Sequence, residues 1–285
     1  PPTPPVTPAP AATATPLPSP SPTPELSQRL PEGLRRLELG DFAAAATHLE
    51  AVLSGPDSFS TDEVTQALLA LGQAYLGDGR YADAAAAFTQ LLDRPNPPSA
   101  AAHLLGQALE GAGDSAAALA AYQTYLDANP DMAAYVNLDI ARIATEPVAV
   151  LNAYEAALGG HAQRLHKVAI HQQLAQFYVA QGNTAAAIEQ YFAIRDLAVT
   201  EVTQGRMTYL AGMAYLDMGN TEAAYEQFAL GFNAYPRAYE SYLGLVQLVE
   251  AGIPVDEFQR GLVDYYAGAY EPGIAAFERY IAQNP

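Results

Sequence analysis

The chain has 285 residues, carries 31 acidic against 13 basic side chains for a net charge of −18, and contains neither Cys nor Trp. Nucleic-acid binding is driven by Lys and Arg releasing counterions, so this balance, with Lys167 as the sole lysine, excludes nucleic acid as a partner and argues against an anionic membrane surface. The lack of Cys removes disulfide frameworks, thiolate metal sites and cysteine nucleophiles, and no run reaches the ~18 apolar residues of a membrane-spanning helix.

Residues 1–25 read as a disordered Pro/Thr/Ser-rich linker. Eleven prolines fall within residues 1–24, and no charged residue precedes Glu25. Proline fixes φ and removes amide donors, so the segment is expected to be extended, polyproline-like and solvated. Its PxxP spacings lack a flanking base, and Ser and Thr beside Pro suit O-glycosylation. The chain does not begin with Met, so the expectation is a processed product or an excised piece of something longer. A spacer of this kind suits the region after a cleaved signal peptide or a lipid-anchored Cys, and membrane contact is expected only through such an upstream anchor.

From Leu34 the apolar periodicity is helical, and the helical segments are interrupted by glycine followed by a capping or small residue. Gly40-Asp41, Gly113-Asp114, Gly182-Asn183 and Gly219-Asn220 each predict a left-handed glycine ending one helix and a polar cap opening the next. Ser60 with Glu63 reads as a capping box before the helix that holds Leu68 and Leu71. The interruptions recur every 34 residues: Gly72 with Gly106, Gly79 with Gly113, Ala84 with Ala118, Phe88 with Tyr122, Leu92 with Leu126. Small residues at Gly72, Gly106, Ala175 and Gly212 are expected to face Ala84, Ala118, Ala187 and Ala224 across each hairpin. Around 131–158 the turn glycine is replaced by Glu146-Pro147 and Tyr154 falls two residues early. Between Pro236 and Val255 only one helix fits.

These residues resemble the tetratricopeptide repeat (TPR) family, whose unit is a 34-residue helix-turn-helix. The best unit reads Leu68, Leu71, Gly72, Tyr75, Gly79, Tyr81, Ala84, Phe88, Leu91, Leu92; the next reads Leu105, Gly106, Leu109, Gly113, Ala118, Tyr122, Tyr125, Leu126, Pro130. Later units run from Leu174 to Ile194, from Gly212 to Pro236 and from Gly261 to Pro285, and a weaker first unit starts at Gly33. The resemblance covers residues 26–285 and implies an all-α, right-handed α-solenoid of about seven TPR-like units, some irregular, behind the Pro-rich tail. A single hairpin buries too little apolar surface to stand alone, so neighbouring units must stack.

The chemistry-bearing motifs are few. His161, His166 and His171 stand five apart, which is wrong for one helix face, so no metal site is expected. Glu240-Ser241 followed by Gly244-Leu-Val-Gln247 resembles pieces of the lytic transglycosylase signature, but only two residues separate them, too few to build a sugar cleft. No catalytic residue and no cofactor is expected within the chain. The TPR resemblance implies a ligand groove lined by first helices, and local alignment selects Gln73, His103, Gln107, Gln172, Gln176, Arg206 and Tyr209. The expected function is a non-enzymatic scaffold for a protein or peptide partner, tethered at the bacterial cell envelope in the periplasm or on its outer face, with a cytoplasmic location as the alternative. The second reading is the superhelical, non-catalytic part of a lytic transglycosylase-like enzyme, with peptidoglycan strands as partner and a catalytic domain after Pro285, where no polar capping helix follows the last repeat.

Overall fold

A computed structural model describes residues 25–160 and 162–285. The linker reading of residues 1–24, like His161, lies outside them. Among the described residues the secondary structure is helical throughout, with no strand. Contacts divide the chain into two units, one ending at Pro97 and one running from Pro98 to Pro285.

The N-terminal unit holds two helix pairs, α1 (Leu26–Glu38) with α2 (Phe42–Leu53) and α3 (Thr61–Gly77) with α4 (Tyr81–Leu92). Its core is Ala45, Leu49, Val52, Ala67, Leu68, Leu71, Phe88 and Leu91, all buried. Ser60 and Glu63 form the expected capping box, with reciprocal bonds of 3.2 and 2.8 Å that satisfy two backbone amides at the start of α3. The backbone amide of Ser60, followed by its hydroxyl, holds the Glu63 carboxyl below the usual range. Between α2 and α3, the Tyr75 hydroxyl donates to Glu50 Oε1 at 2.5 Å. Burial, and then the Glu50 carboxylate, push this phenol up to about 12.

The second unit holds five pairs and a single helix: α5 (Ala101–Gly111) with α6 (Ser115–Ala128), α7 (Ala133–Ile143) with α8 (Pro147–Gly159), α9 (Arg164–Ala180) with α10 (Thr184–Leu197), α11 (Glu201–Asp217) with α12 (Thr221–Ala234), then α13 (Tyr239–Glu250) alone, and α14 (Glu257–Tyr266) with α15 (Tyr270–Gln283). The α7–α8 turn, which lacks glycine, starts its second helix on Pro147, where a missing amide costs nothing because first-turn amides have no helical partner. The single helix α13 packs on both α11 and α12, and its apolar face, Leu245 and Leu248, completes a cluster with Phe228, Phe232 and Val263.

The turn chemistry follows the sequence with one exception. Gly40, Gly113, Gly182 and Gly219 have φ between 70° and 84°, the left-handed region. Asp114, Asn183 and Asn220 each accept from the backbone amide three residues on. Asp41 does not cap: its carboxylate accepts instead from Arg36 Nη1 at 2.8 Å, a charged donor that outbids the neutral amide.

The small residues of the first helices also meet rings, which the sequence reading did not include. At Gly72, Gly106, Gly212 and Gly261 the atoms that a side chain would meet first belong to rings sixteen residues on, Phe88, Tyr122, Phe228 and Phe277. The physical reason is reach: a ring from the second helix extends across the interface to the first helix backbone.

Candidate functional site

The helical repeat of α9 and α11 aligns two facing ladders. On α9, Gln172, Gln176 and the pair Val179 and Ala180 recur at three- and four-residue intervals; on α11, Val202 and Thr203, Arg206 and Met207, and Leu210 do the same. Between them opens a cavity of about 620 Å³ whose remaining wall is Ala175 with Tyr191 and Ile194 of α10. Gln172, Gln176 and Arg206 are exposed, whereas Ile194, Ala175 and Met207 are buried, so polar tips stand over an apolar floor. Val179 and Val202 are 56% and 55% exposed, which places an uncovered valine on each side of the cavity. Burial raises the phenol of Tyr191 above its ordinary pKa.

Three of the seven groove residues read from the sequence, Gln172, Gln176 and Arg206, therefore share one cavity. The others lie elsewhere. Gln73 is exposed on α3 in the N-terminal unit, and Gln107 is half-buried on α5. His103 directs Nε2 to Asp139 Oδ2 at 3.0 Å and stacks obliquely on Tyr122 and Tyr125, so its ring links α5 to α6 and α7. Tyr209 packs on the Phe228 ring at 5.7 Å between centroids, as part of the α11–α13 core. Thr203, Tyr191 and the rim valines were not selected from the sequence. The three- and four-residue ladder starting from Arg206 carries the signal for Val202 and Thr203, but Tyr191 comes from another helix and has no sequence mark of its own.

The remaining motifs have structural partners. His166 meets the Tyr135 ring edge-on at 4.5 Å, and His171 Nδ1 lies 2.8 Å from Gln190 Oε1. Among the described residues no three His, Cys, Asp or Glu side chains gather as a metal site. Ser241 is buried against Gly205 and Gly231, packing α13 onto α11 and α12, and its neighbour Glu240 is half-buried at the start of α13. Asp256 accepts from the Gln259 amide at 2.7 Å as a helix cap, and Glu257 takes a bidentate bond from Arg279, which holds its carboxyl low. No helix among the described residues is long and apolar enough to cross a membrane.

Residues 30–101 and 69–133 match the tetratricopeptide repeat family. No curated protein sequence matches the chain. Among solved structures the chain is similar to the C-terminal part of a TPR repeat-containing protein from Cytophaga hutchinsonii, at 12% identity over 90% of this chain and 95% of that one, with a TM-score of 0.54. It is also similar to a tetratricopeptide repeat protein from Parabacteroides merdae, at 13% identity over 91% and 93%, TM-score 0.50. A third similarity is to the apo form of the quorum sensor NprR from B. thuringiensis, at 11% identity over 90% and 86%, TM-score 0.49. At these identities the likeness speaks to fold alone. The described residues form an all-α array of TPR-like helix pairs, and the stretch from residue 30 to residue 133 matches the tetratricopeptide repeat family itself.

Proposed function

We propose that the chain is a non-enzymatic scaffold that binds a peptide or an extended segment of a partner protein, and that the cavity between α9 and α11 is where the segment is held. The observation that carries this reading is the cavity itself: two exposed glutamine amides and a guanidinium over an apolar floor, in a volume of about 620 Å³, which falls within the roughly 300–1,000 Å³ of small-ligand sites. Primary amides donate and accept, so Gln172 and Gln176 suit the alternating N–H and C=O groups of an extended backbone. The apolar floor would take a side chain.

The test is affinity selection of random decapeptides on the purified chain, repeated with Gln176→Ala/Arg206→Ala. Both side chains are exposed, so the double variant is expected to keep its helical circular dichroism. Binders whose recovery drops at least tenfold in that variant support the reading; binders indifferent to it, or none at all, remove the cavity from the function.

A further inference from the structure

Around the last turn, at Gly268, rings collect that the fold leaves uncovered. Tyr265 stands three residues before this glycine and Tyr270 two after it, and the two rings meet at 5.9 Å between centroids. The turns at Gly113, Gly182 and Gly219 carry Glu110 with Ser115, Val179 with Thr184 and Leu216 with Thr221 at the same two places. The tyrosine pair is therefore no requirement of the turn. With Gly273, Ile274 and Phe277 it lines a pocket of about 270 Å³ that contains no charged residue. Tyr265, Tyr270 and Ile274 are 58%, 60% and 58% exposed, and contiguous apolar groups left open in this way mark contact surfaces.

The chain itself holds a segment of matching chemistry. Residues 1–24 contain eleven prolines and no charged residue. In a polyproline II helix, with three residues per turn and about 3.1 Å of rise per residue, Pro2, Pro5 and Pro8 fall on one edge, about 9 Å apart. Proline-rich segments in that form dock on aromatic-lined grooves and lose little entropy in doing so, because their backbone is already restricted. Two chains of net charge −18 repel each other. An uncharged segment entering an uncharged pocket is the contact at which that repulsion is least.

We propose that residues 1–10 of a second copy of this chain dock in the pocket of Tyr265 and Tyr270, with the Pro2, Pro5 and Pro8 edge against the rings. In the second unit each helix pair packs on its sequence neighbours, so α5 and the α14–α15 hairpin stand at opposite ends of the series. A chain's own proline segment joins that series from the α5 side, which makes the second copy the occupant. Ile281 lies outside the pocket and stays uncovered. Segment and pocket are different surfaces, so the contact is heterologous and further copies can add to it. This contact is independent of the α9–α11 cavity.

The experiment titrates the full chain into a fluorescently labelled synthetic peptide of residues 1–24 and follows anisotropy, with light scattering of the chain alone over a range of concentrations. Saturable binding is expected, weakened at least tenfold by Tyr265→Ala/Tyr270→Ala and equally by Pro2→Ala/Pro5→Ala/Pro8→Ala in the peptide. The two tyrosines are more than half exposed, so the double variant should keep its helical circular dichroism; Ile274→Glu, which puts a charge in the pocket, supplies a second variant with the same expected loss. Salt should not weaken the binding, since no ion pair holds it. The scattering mass of wild type should rise with concentration and fall back on adding the peptide. No saturable binding, or binding indifferent to the pocket variants, overturns the proposal. So does binding lost instead in Gln176→Ala/Arg206→Ala, which would send the segment to the α9–α11 cavity. A mass that stays monomeric at every concentration overturns the second copy as occupant, and self-association untouched by the peptide assigns the contact to some other surface.

Discussion

The ring of Phe228 occupies the space that a side chain on Gly212 would need: Phe228 Cδ1 stands 2.7 Å from the position of a methyl there. The ring has no room to yield, because Phe228 is 1% exposed and lies between the rings of Tyr209 and Tyr225. Gly212→Ala therefore sets two effects against each other. Helix propensity gains about 1 kcal/mol, while overpacking a closed core costs roughly 1–3 kcal/mol. The clash is expected to win, with a net loss on the order of 1 kcal/mol in denaturant unfolding. In a Phe228→Leu background, which vacates the ring edge, the same alanine should cost less or stabilise. Additivity of the two changes would sink the account.

The turns offer a second comparison. Gly219 has φ 77° and nothing within 4 Å of a would-be side chain, so Gly219→Ala tests conformation alone and should cost about 1–2 kcal/mol. Asn220→Ala removes the 3.2 Å cap bond to the Ala223 amide and should cost about 1 kcal/mol. Asp41→Ala, at the equivalent place in the first hairpin, is expected to cost less, since Asp41 makes no cap bond and its pairing with Arg36 is solvent-exposed. Thermal midpoints of the three variants order these effects; a loss at Asp41 equal to that at Asn220 would restore the capping role read from sequence.

Asp41 also marks where the sequence stopped being sufficient. Glycine conformation and capping are set by a residue and its neighbours within a few positions, so the turns and the helix pairs of α3–α6 and α9–α12 could be read directly. Asp41 failed because Arg36, five residues back, reaches it first. The crowding of Gly72 by the Phe88 ring depends on how far a ring extends between two helices, which residue type alone does not state. The candidate site was legible only in part: Gln172, Gln176 and Arg206 share faces that repeat spacing selects, but Tyr191 and Ile194 enter from a different helix. His103 and Tyr209 sit at positions of the same kind, and their side chains turn to Asp139 and Phe228 instead.

Asp264 predicts a pH dependence. It is 2% exposed, and its Oδ2 lies 3.7 Å from Arg260 Nε, too far for a hydrogen bond. Glu257 and Arg279 complete the charges around it, and Gly273 of α15 covers it. Burial, the largest influence, raises the carboxyl above its ordinary value, against the pull of Arg260 and Arg279. The folded chain then keeps this proton where the unfolded chain has lost it. The contribution favours folding below the unfolded pKa, about 3.9, and is lost as pH rises through the raised folded value. Asp264→Asn should therefore gain on wild type as pH increases from about 3.5 to 7. Urea midpoints across that range check it, and a gap between the two proteins that stays constant with pH would refute the assignment.

Ile281 and Phe232 occupy the same place in their hairpins, thirteen residues after the turn glycines Gly268 and Gly219, yet Ile281 is 65% exposed and Phe232 2%. The difference arises because α13 and α14 pack on α12, whereas among the described residues no helix follows α15. Burial, not sequence position, should then set the cost of truncation. Phe232→Ala is expected to lose about 3–5 kcal/mol, and Ile281→Ala to stay within about 0.5 kcal/mol. Chemical denaturation at several protein concentrations decides it. A loss at Ile281 that approaches the one at Phe232 and grows with concentration would mean that a second chain covers α15 in solution, because only a covered isoleucine has burial to lose.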